Sequence, residues 1–382
     1  MYTILTRNKI SSAGLAALEG YTITDLHTNP DGVIVRSGSM HEDAFGDALA
    51  AIARAGAGVN NIPIERCSKA GIAVFNTPGA NANAVKELVI CGLFMAARKI
   101  GAGMRWADTL KGQGKEVGKL VEKGKGAFGG DEIAGKTLGV IGLGAIGAMT
   151  ASAAAALGMH VIGYDPYISL QSALALDNRV QFTDEINELY AASDYISLHS
   201  PLNDGTRGMI NATTLGICKD GVRILNFARA ELVDNNSIID ALATGKVLAY
   251  VTDFPTDEQL GVDGVTAMPH LGASTAQSEE NCAIMASKQL KDYLEQGIVK
   301  NSINLPEIKI PLKSSPRVCI IHDVCEALRT QISTAVGTSG AAVTRMFSAE
   351  NGIIAYTVYD VTEKIDIRAI RGIPGVKKVR MI

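Results

Sequence analysis

Short apolar runs alternate with helical patterns along the first hundred residues. Tyr2–Thr6, Gly32–Ser37, Ala51–Ala55 and Ile72–Asn76 read as strands; Ser11–Leu18, Glu42–Leu49 and Ile64–Ala70 read as helices. This βαβ rhythm predicts a parallel sheet. A long apolar helix follows at Ala82–Lys99, and residues 107–134 are polar, glycine-rich and expected to run over the surface. The strand–helix rhythm resumes over 135–280. Its strands fall at Thr137–Ile141, His160–Tyr164, Tyr195–Leu198, Val222–Phe227, Leu248–Thr252 and Val265–Ala267. A helix at Ala276–Gln296 would return the chain to the first domain.

Residues 302–316 carry three prolines and read as an extended linker. The tail then runs strand, helix, strand, strand, helix, strand. The strands are Val318–Ile321, Ala342–Ala349, Ile353–Val361 and Lys377–Met381; the helices are Ala327–Val336 and Lys364–Ala369. That order predicts a ferredoxin-like sandwich.

Composition narrows the class. The 382 residues are 47% hydrophobic and 20% charged, enough for two or three globular cores. The net charge of −3 argues against nucleic acid or an anionic membrane as partner. The longest apolar run, Leu88–Ala97, is too short to span a bilayer, and the N-terminus shows no signal core. Six cysteines form no CxxC and no metal spacing with histidine, so buried thiols in a reducing cytoplasm, and no metal site, are expected.

The chemistry starts at Thr137–Asp165. A strand runs into Gly142-Leu-Gly144-Ala145-Ile146-Gly147, then an alanine-rich helix, then a second strand ending at Asp165. Gly142 permits the tight turn, Gly144 lets a pyrophosphate approach the backbone, and Gly147 lets the helix pack closely. Asp165 can accept from a ribose diol and would repel a 2′-phosphate, which favours NAD over NADP. Three later blocks place ionisable groups after strands. Arg229 can take a carboxylate bidentately. Asp253 can hold a carboxamide amino group, with Glu258 five residues on. His270 suits proton transfer near neutrality. His199 and Ser200 form a further strand-end turn read as cofactor-lining.

Together these blocks resemble the D-isomer-specific 2-hydroxyacid dehydrogenases. The motifs are Val35–Ser37, Arg54–Asn61, Phe75–Asn83, Gly135–Gly139, Gly142–Gly147, Tyr164–Pro166, Asn226–Asp234, Asp253–Glu258 and Pro269–Thr275. The resemblance implies an α/β chain with a flavodoxin-like substrate domain (1–98 and 281–305) and an inserted Rossmann NAD-binding domain (99–280). A C-terminal ferredoxin-like (ACT-like) domain would occupy 317–382. It implies Arg229, Glu258 and His270 as the catalytic set. NAD would be lined by Gly142, Gly144, Ala145, Ile146, Gly147, Asp165, Ser200, Phe227, Ala228, Arg229, Asp253, His270, Gly272 and Ala273. The backbone of Ala57, Gly58 and Val59 would hold the substrate carboxylate. Arg36 and Arg54 suit a phosphate, so a phosphorylated 2-hydroxy acid is the expected small-molecule substrate, with an unphosphorylated oxo acid or an NAD-sensing scaffold as alternatives. A homodimer or homotetramer is implied. The chain departs from the family pattern at Ala230-Glu231, where glycines are usual, and at Gln259, where proline is usual.

Overall fold

In the computed structural model, residues 1–382 are described apart from 27, 28, 169 and 175; His27 therefore lies outside the described residues. The chain forms two compact units, residues 1–81 with 276–382, and residues 82–275.

The first unit opens with β1 (Thr3–Arg7), α1 (Ser12–Ala16), β2 (Thr22–Thr24), β3 (Gly32–Val35), β4 (Ala51–Arg54), α2 (Ile64–Lys69) and β5 (Ala73–Phe75). The strands pair in parallel in the order β2-β1-β3-β4-β5. This is the flavodoxin-like order, and its topological switch point lies between β1 and β3. The expected helix over Glu42–Leu49 is not there: the segment is irregular, with short turns at 41–42 and 47–48. There Asn29 Oδ1 accepts from the Ala48 N–H at 3.2 Å, an amide that a helix would have used internally. The sequence reading also lacked β2. That strand is a short, mostly exposed edge with no apolar run to betray it.

The second unit begins with α3 (Ala82–Arg98), α4 (Ile100–Asp108) and α5 (Val117–Gly124), so the stretch expected as surface loop holds helices. It continues with β6 (Thr137–Ile141), α6 (Ala145–Ala156), β7 (His160–Tyr164), α7 (Leu170–Leu174), β8 (Val180–Phe182), α8 (Ile186–Ala192) and β9 (Tyr195–Leu198). Then come α9 (Ala212–Ile217), β10 (Val222–Asn226), α10 (Asn235–Ala243), β11 (Val247–Thr252) and β12 (Val265–Ala267). The seven parallel strands are ordered β12-β11-β10-β9-β6-β7-β8, so the switch point falls between β9 and β6. Small residues set the spacing. Ala151 and Ala154 of α6 are fully buried, and Gly92 of α3 lies under the Phe227 ring, whose Cζ a Cβ would meet at 2.7 Å.

The chain re-enters the first unit through α11 (Ala276–Gln296) and ends with β13 (Arg317–Asp323), α12 (Glu326–Gly337), β14 (Val343–Glu350), β15 (Ile354–Val361), α13 (Arg368–Arg371) and β16 (Val376–Met381). The antiparallel order is β14-β15-β13-β16, the βαββαβ sandwich expected from the sequence. The second helix starts four residues later than expected, where the Asp366 carboxylate accepts from the Arg368 N–H at 2.9 Å.

The segment before this sandwich is not a free tether. Asn304 Oδ1 accepts from Val74 N–H at 2.9 Å, and its Nδ2 donates to Ile72 C=O at 2.9 Å. One face of the terminal sheet packs on its own helices through Val318, Ile320, Ile332 and Val336. The opposite face, with Cys319, Ile321, Tyr356 and Val358, shares a core with Leu290, Tyr293 and Leu294 of α11. That explains why all eight residues of β15 are buried. Polar groups fix the seam. Tyr356 Oη donates to Gly297 C=O at 2.9 Å, Lys378 to Leu49 C=O at 2.9 Å, and Arg380 stacks 3.9 Å over the Tyr293 ring. Arg317 is fully buried. It pairs with buried Asp360 at 2.5 Å and donates to the carbonyls of Gln296 and Pro311. Replacing Arg317 by methionine strands the Asp360 charge with only half-exposed Arg345 beside it. We expect a loss of about 3–5 kcal/mol in urea unfolding; a loss below about 1 kcal/mol would show that the pair is dispensable.

Candidate active site

In the second unit the site is built where β6, β9, β10 and β11 end. Gly142 leaves β6 at φ 92°, a conformation that favours glycine. Gly147 sits so close to the Gly142 carbonyl that a Cβ would overlap it. Gly144 differs: a Cβ there would meet no protein atom within 4 Å. Two of the glycines thus answer demands of the fold, and the third leaves open space at the start of a helix. That helix, α6, has no side-chain cap. Its first amides, from Ala145 and Ile146 on, have no helical acceptor, and such an N-terminus suits an anion. Asp165 reaches back across the turn: Oδ2 accepts from Leu143 N–H and Oδ1 from Tyr167 N–H, both at 2.9 Å.

Asp253 follows β11 and is 1% exposed. Its Oδ2 accepts from the Gly272 N–H at 3.1 Å, whereas Oδ1 is buried with no hydrogen-bond partner among the described residues. Burial raises its pKa, and the Gly272 N–H offsets this only in part. A buried carboxylate oxygen without a donor is costly, and it is the acceptor a carboxamide amino group needs. The ring of Phe227 is spent on packing against α3, while Ala228 N–H donates to Asn226 Oδ1 at 3.2 Å. Ser200 and Ala273 are half-buried. His199 Nε2 lies 2.8 Å from Ser197 Oγ, and the protein around its ring pushes its pKa down to about 4.

The three ionisable groups expected to act together are exposed, and among the described residues they do not pair with one another. Arg229 has φ −150° and donates to the neighbouring Ala228 carbonyl at 2.6 Å. No residue here needs a positive φ, so Ala230 and Glu231 take the usual glycine positions as a short 3-10 turn. Glu258 meets Asn235 Nδ2 at 3.5 Å rather than His270. Its own backbone N–H and the Thr256 hydroxyl hold its carboxyl below the ordinary carboxylate range. His270 lies against the Phe254 ring, centroids 4.4 Å apart.

A network the sequence reading missed supports these groups. Asn226 Nδ2 donates to the Arg229 carbonyl at 2.8 Å, and buried Gln259 donates to Asn235 Oδ1 at 2.6 Å. Gln259, in the usual proline position, is thus a tie between two loops. The available signal was amide side chains at strand ends.

In the first unit, β3 and β4 deliver Arg36 and Arg54. Arg36 C=O accepts from Arg54 Nε at 3.1 Å. Asn8 Oδ1 takes the N–H groups of Ser37 and Gly38, at 3.2 and 2.6 Å, so the turn after β3 is fixed at the switch point. Gly56, at φ 153°, leaves room for the Arg54 guanidinium folded over it. Beyond it, the Ala57 carbonyl accepts from Asn76 Nδ2 at 2.6 Å and the Val59 carbonyl from Ile62 N–H at 3.0 Å. The N–H groups of Ala57, Gly58 and Val59 donate to no group among the described residues. Successive free amides form a seat for an anion. Arg36 itself is bound to Glu279 at 2.6 Å, a contact the sequence reading did not foresee.

The terminal sandwich holds a cavity of about 420 Å³ lined by His322, Arg329, Ser333 and Tyr359. Both ring nitrogens of His322 are engaged, with the Asp323 carbonyl and Thr357 Oγ1. Among the described residues no group of His, Cys, Asp and Glu is arranged to hold a metal, and no helix is long and apolar enough to cross a membrane.

Residues 91–272 match the NAD-binding domain of the D-isomer specific 2-hydroxyacid dehydrogenases. A hydroxypyruvate reductase of Thermotoga maritima is 40% identical over 66% of this chain and 79% of its own. The chain belongs to this dehydrogenase family. A D-3-phosphoglycerate dehydrogenase of Methanocaldococcus jannaschii is 37% identical over 73% of the chain, which spans only about half (52%) of that relative. The NAD-bound 3-phosphoglycerate dehydrogenase of Entamoeba histolytica superposes with a TM-score of 0.61 at 28% identity, covering 79% of this chain and 98% of that one. The uncapped α6, the space at Gly144 and the lone Asp253 oxygen fit NAD as the family's cofactor.

Two outcomes follow. Gly144→Ala should leave urea stability within about 0.5 kcal/mol while weakening NADH binding at least about tenfold in a fluorescence titration; Gly147→Ala should cost about 1–3 kcal/mol of stability. Loss of stability at Gly144 would mean that the open space serves the fold. His199 has a folded pKa near 4 against an ordinary 6.5, so its contribution is complete above pH 6.5 and is lost as pH falls towards 4. Wild type should lose up to about 3 kcal/mol more than His199→Asn across that window; equal slopes in the two proteins would refute it.

Proposed function

We propose that this chain is a cytoplasmic NAD-dependent D-3-phosphoglycerate dehydrogenase. It would oxidise 3-phospho-D-glycerate to 3-phosphohydroxypyruvate, the first step of L-serine biosynthesis. The observation that carries the phosphate is the first unit's anion seat: Arg36 and Arg54 at adjacent strand ends, beside the unpartnered amides of Ala57, Gly58 and Val59.

NAD, when bound, supplies the acceptor for the hydride that leaves C2. Asp253 Oδ1 takes the carboxamide amino group, the α6 N-terminus takes the pyrophosphate, and Asp165 takes the ribose diol. Ser200, Phe227, Ala228 and the His270–Ala273 turn line the remainder. His270 receives the proton of the 2-hydroxyl on a ring nitrogen, and returns it to the oxygen in the reverse direction. Arg229 pairs with the carboxylate and draws electron density from the 2-oxo group as it forms. Glu258 must leave Asn235 to orient His270 and favour its protonated form. The amides of 57–59 also take the carboxylate, while Arg36 and Arg54 take the phosphate. In this reading the terminal sandwich is an ACT-like regulatory domain, and the chain forms a dimer through its NAD-binding domain or a tetramer through the tails.

A specific observation favours a second reading, a hydroxypyruvate- or glyoxylate-type reductase. Arg36 is already neutralised by Glu279, and the 40% identical relative is a hydroxypyruvate reductase. NADH oxidation with 3-phosphohydroxypyruvate, hydroxypyruvate, glyoxylate and 2-oxoglutarate separates the two. A kcat/KM at least about tenfold higher for the phosphorylated acid supports the first; equal or better rates without the phosphate support the second. In either case His270→Ala should lower turnover roughly 10²–10⁴-fold. A folded variant with near-normal turnover would remove His270 from the chemistry.

A further inference from the structure

The backbone around Arg36 is fixed. Its carbonyl is tied to Arg54 and Asn61, and the next two N–H groups are tied to Asn8. The side chain is different. Its Nη2 donates to Glu279 Oε1 at 2.6 Å, with the two side chains 40% and 42% exposed. Exposed pairs of this kind hold weakly. Glu279 also lies in the first turn of the 21-residue α11, where the helix dipole favours a carboxylate with or without a partner. Little is lost when the guanidinium changes partner, and a phosphate dianion offers it more charge and bidentate geometry.

We propose that Glu279 sets the substrate preference of this site as an exchangeable counter-anion. It holds the Arg36 guanidinium in the free protein and yields it to the phosphate of an incoming 3-phospho-2-oxo acid. It stays nearby as a negative charge that opposes the phosphate. Its charge therefore reduces the advantage of a phosphorylated substrate over an unphosphorylated one of the same carbon skeleton. Glu279 is a positioning residue, acting through Arg36, and the inference rests on the reading of Arg36 as a phosphate ligand.

The test compares wild type, Glu279→Gln and Glu279→Ala in the reductive direction. For each, kcat and KM are measured with 3-phosphohydroxypyruvate and hydroxypyruvate, along with inhibition by inorganic phosphate against hydroxypyruvate. Both variants should raise the ratio of kcat/KM values, phosphorylated over unphosphorylated, by about three- to tenfold. The change should lie in KM for the phosphorylated acid, the inhibition constant of phosphate should fall in parallel, and the gain should shrink in 0.5–1 M salt as screening grows. A ratio that is unchanged or falls in both variants overturns the proposal, because Glu279 then only holds Arg36 in place or does nothing. The two readings fail separately. A wild type that prefers hydroxypyruvate, with a ratio that still rises in both variants, refutes the phosphoglycerate assignment and keeps the role of Glu279. A wild type that prefers the phosphorylated acid, with no change in the variants, does the reverse.

Discussion

Parallel strands end without turning back on themselves, and the groups at their carboxyl ends must find partners elsewhere. In this chain several find none among the described residues. The amides of Ala57, Gly58 and Val59, the uncapped start of α6 and the buried Oδ1 of Asp253 all lie beyond strand ends. The buried Asp253 oxygen would be expensive if it served only the fold, whereas the exposed and half-exposed amides are open to water and equally to a ligand. Their shared position is the ligand face of open parallel sheets. Most of the remaining architecture near these ends serves to keep such groups open: glycines that let backbone approach backbone, and asparagines that hold the neighbouring turns still.

How much of this is legible in the sequence depends on whether a residue answers a local or a distant demand. The Gly142–Gly147 turn is legible because strand, glycine spacing and helix follow one another along the chain. Both parallel sheets and the βαββαβ tail are legible for the same reason. The short edges β2 and β8 are not, since an exposed three-residue strand carries no apolar run. Glu42–Leu49 has a helical pattern and no helix; the Ala48 N–H goes to the Asn29 side chain, a partner that periodicity does not reveal. Arg229, Glu258 and His270 are recognisable from their blocks, yet the sequence does not reveal that Glu258 meets Asn235 rather than His270. The same limit hides Glu279. It is separated from Arg36 by 243 positions, and only the return of α11 to the first unit brings them together.

The tail shows how a shared core can bind what a linker separates. Three prolines between 302 and 316 suggest a detached module. The structure instead puts the face of β13 and β15 opposite their helices into the core that contains Tyr293 and Leu294. Arg317 joins three segments at once, since it binds Asp360 of β15, the carbonyl of Gln296 at the end of α11 and the Pro311 carbonyl of the connection. Burial raises the pKa of Asp360, and the bonds from Arg317 and Arg345 more than reverse it, leaving it below the ordinary carboxylate value. A buried charge so fully partnered specifies one docking of the sheet more strongly than apolar contact alone, because any slip leaves a charge unpaired.

The site groups therefore fall into two layers with different physics. Gly142, Gly147, Asp253 and the asparagine-held turns are buried or sterically fixed, and moving any of them disturbs the fold. Arg36, Glu279, Glu258 and His270 are half-exposed or exposed, and the polar contacts of the first three are of the weak surface kind. The fixed layer can hold the parts common to every substrate of the family: a dinucleotide and a carboxylate. Discrimination between one oxo acid and another must then come from the second layer, where partners exchange at little cost. If Glu279 acts as proposed, replacing that single exposed acid would change the substrate preference while the face suited to the cofactor stays as it is.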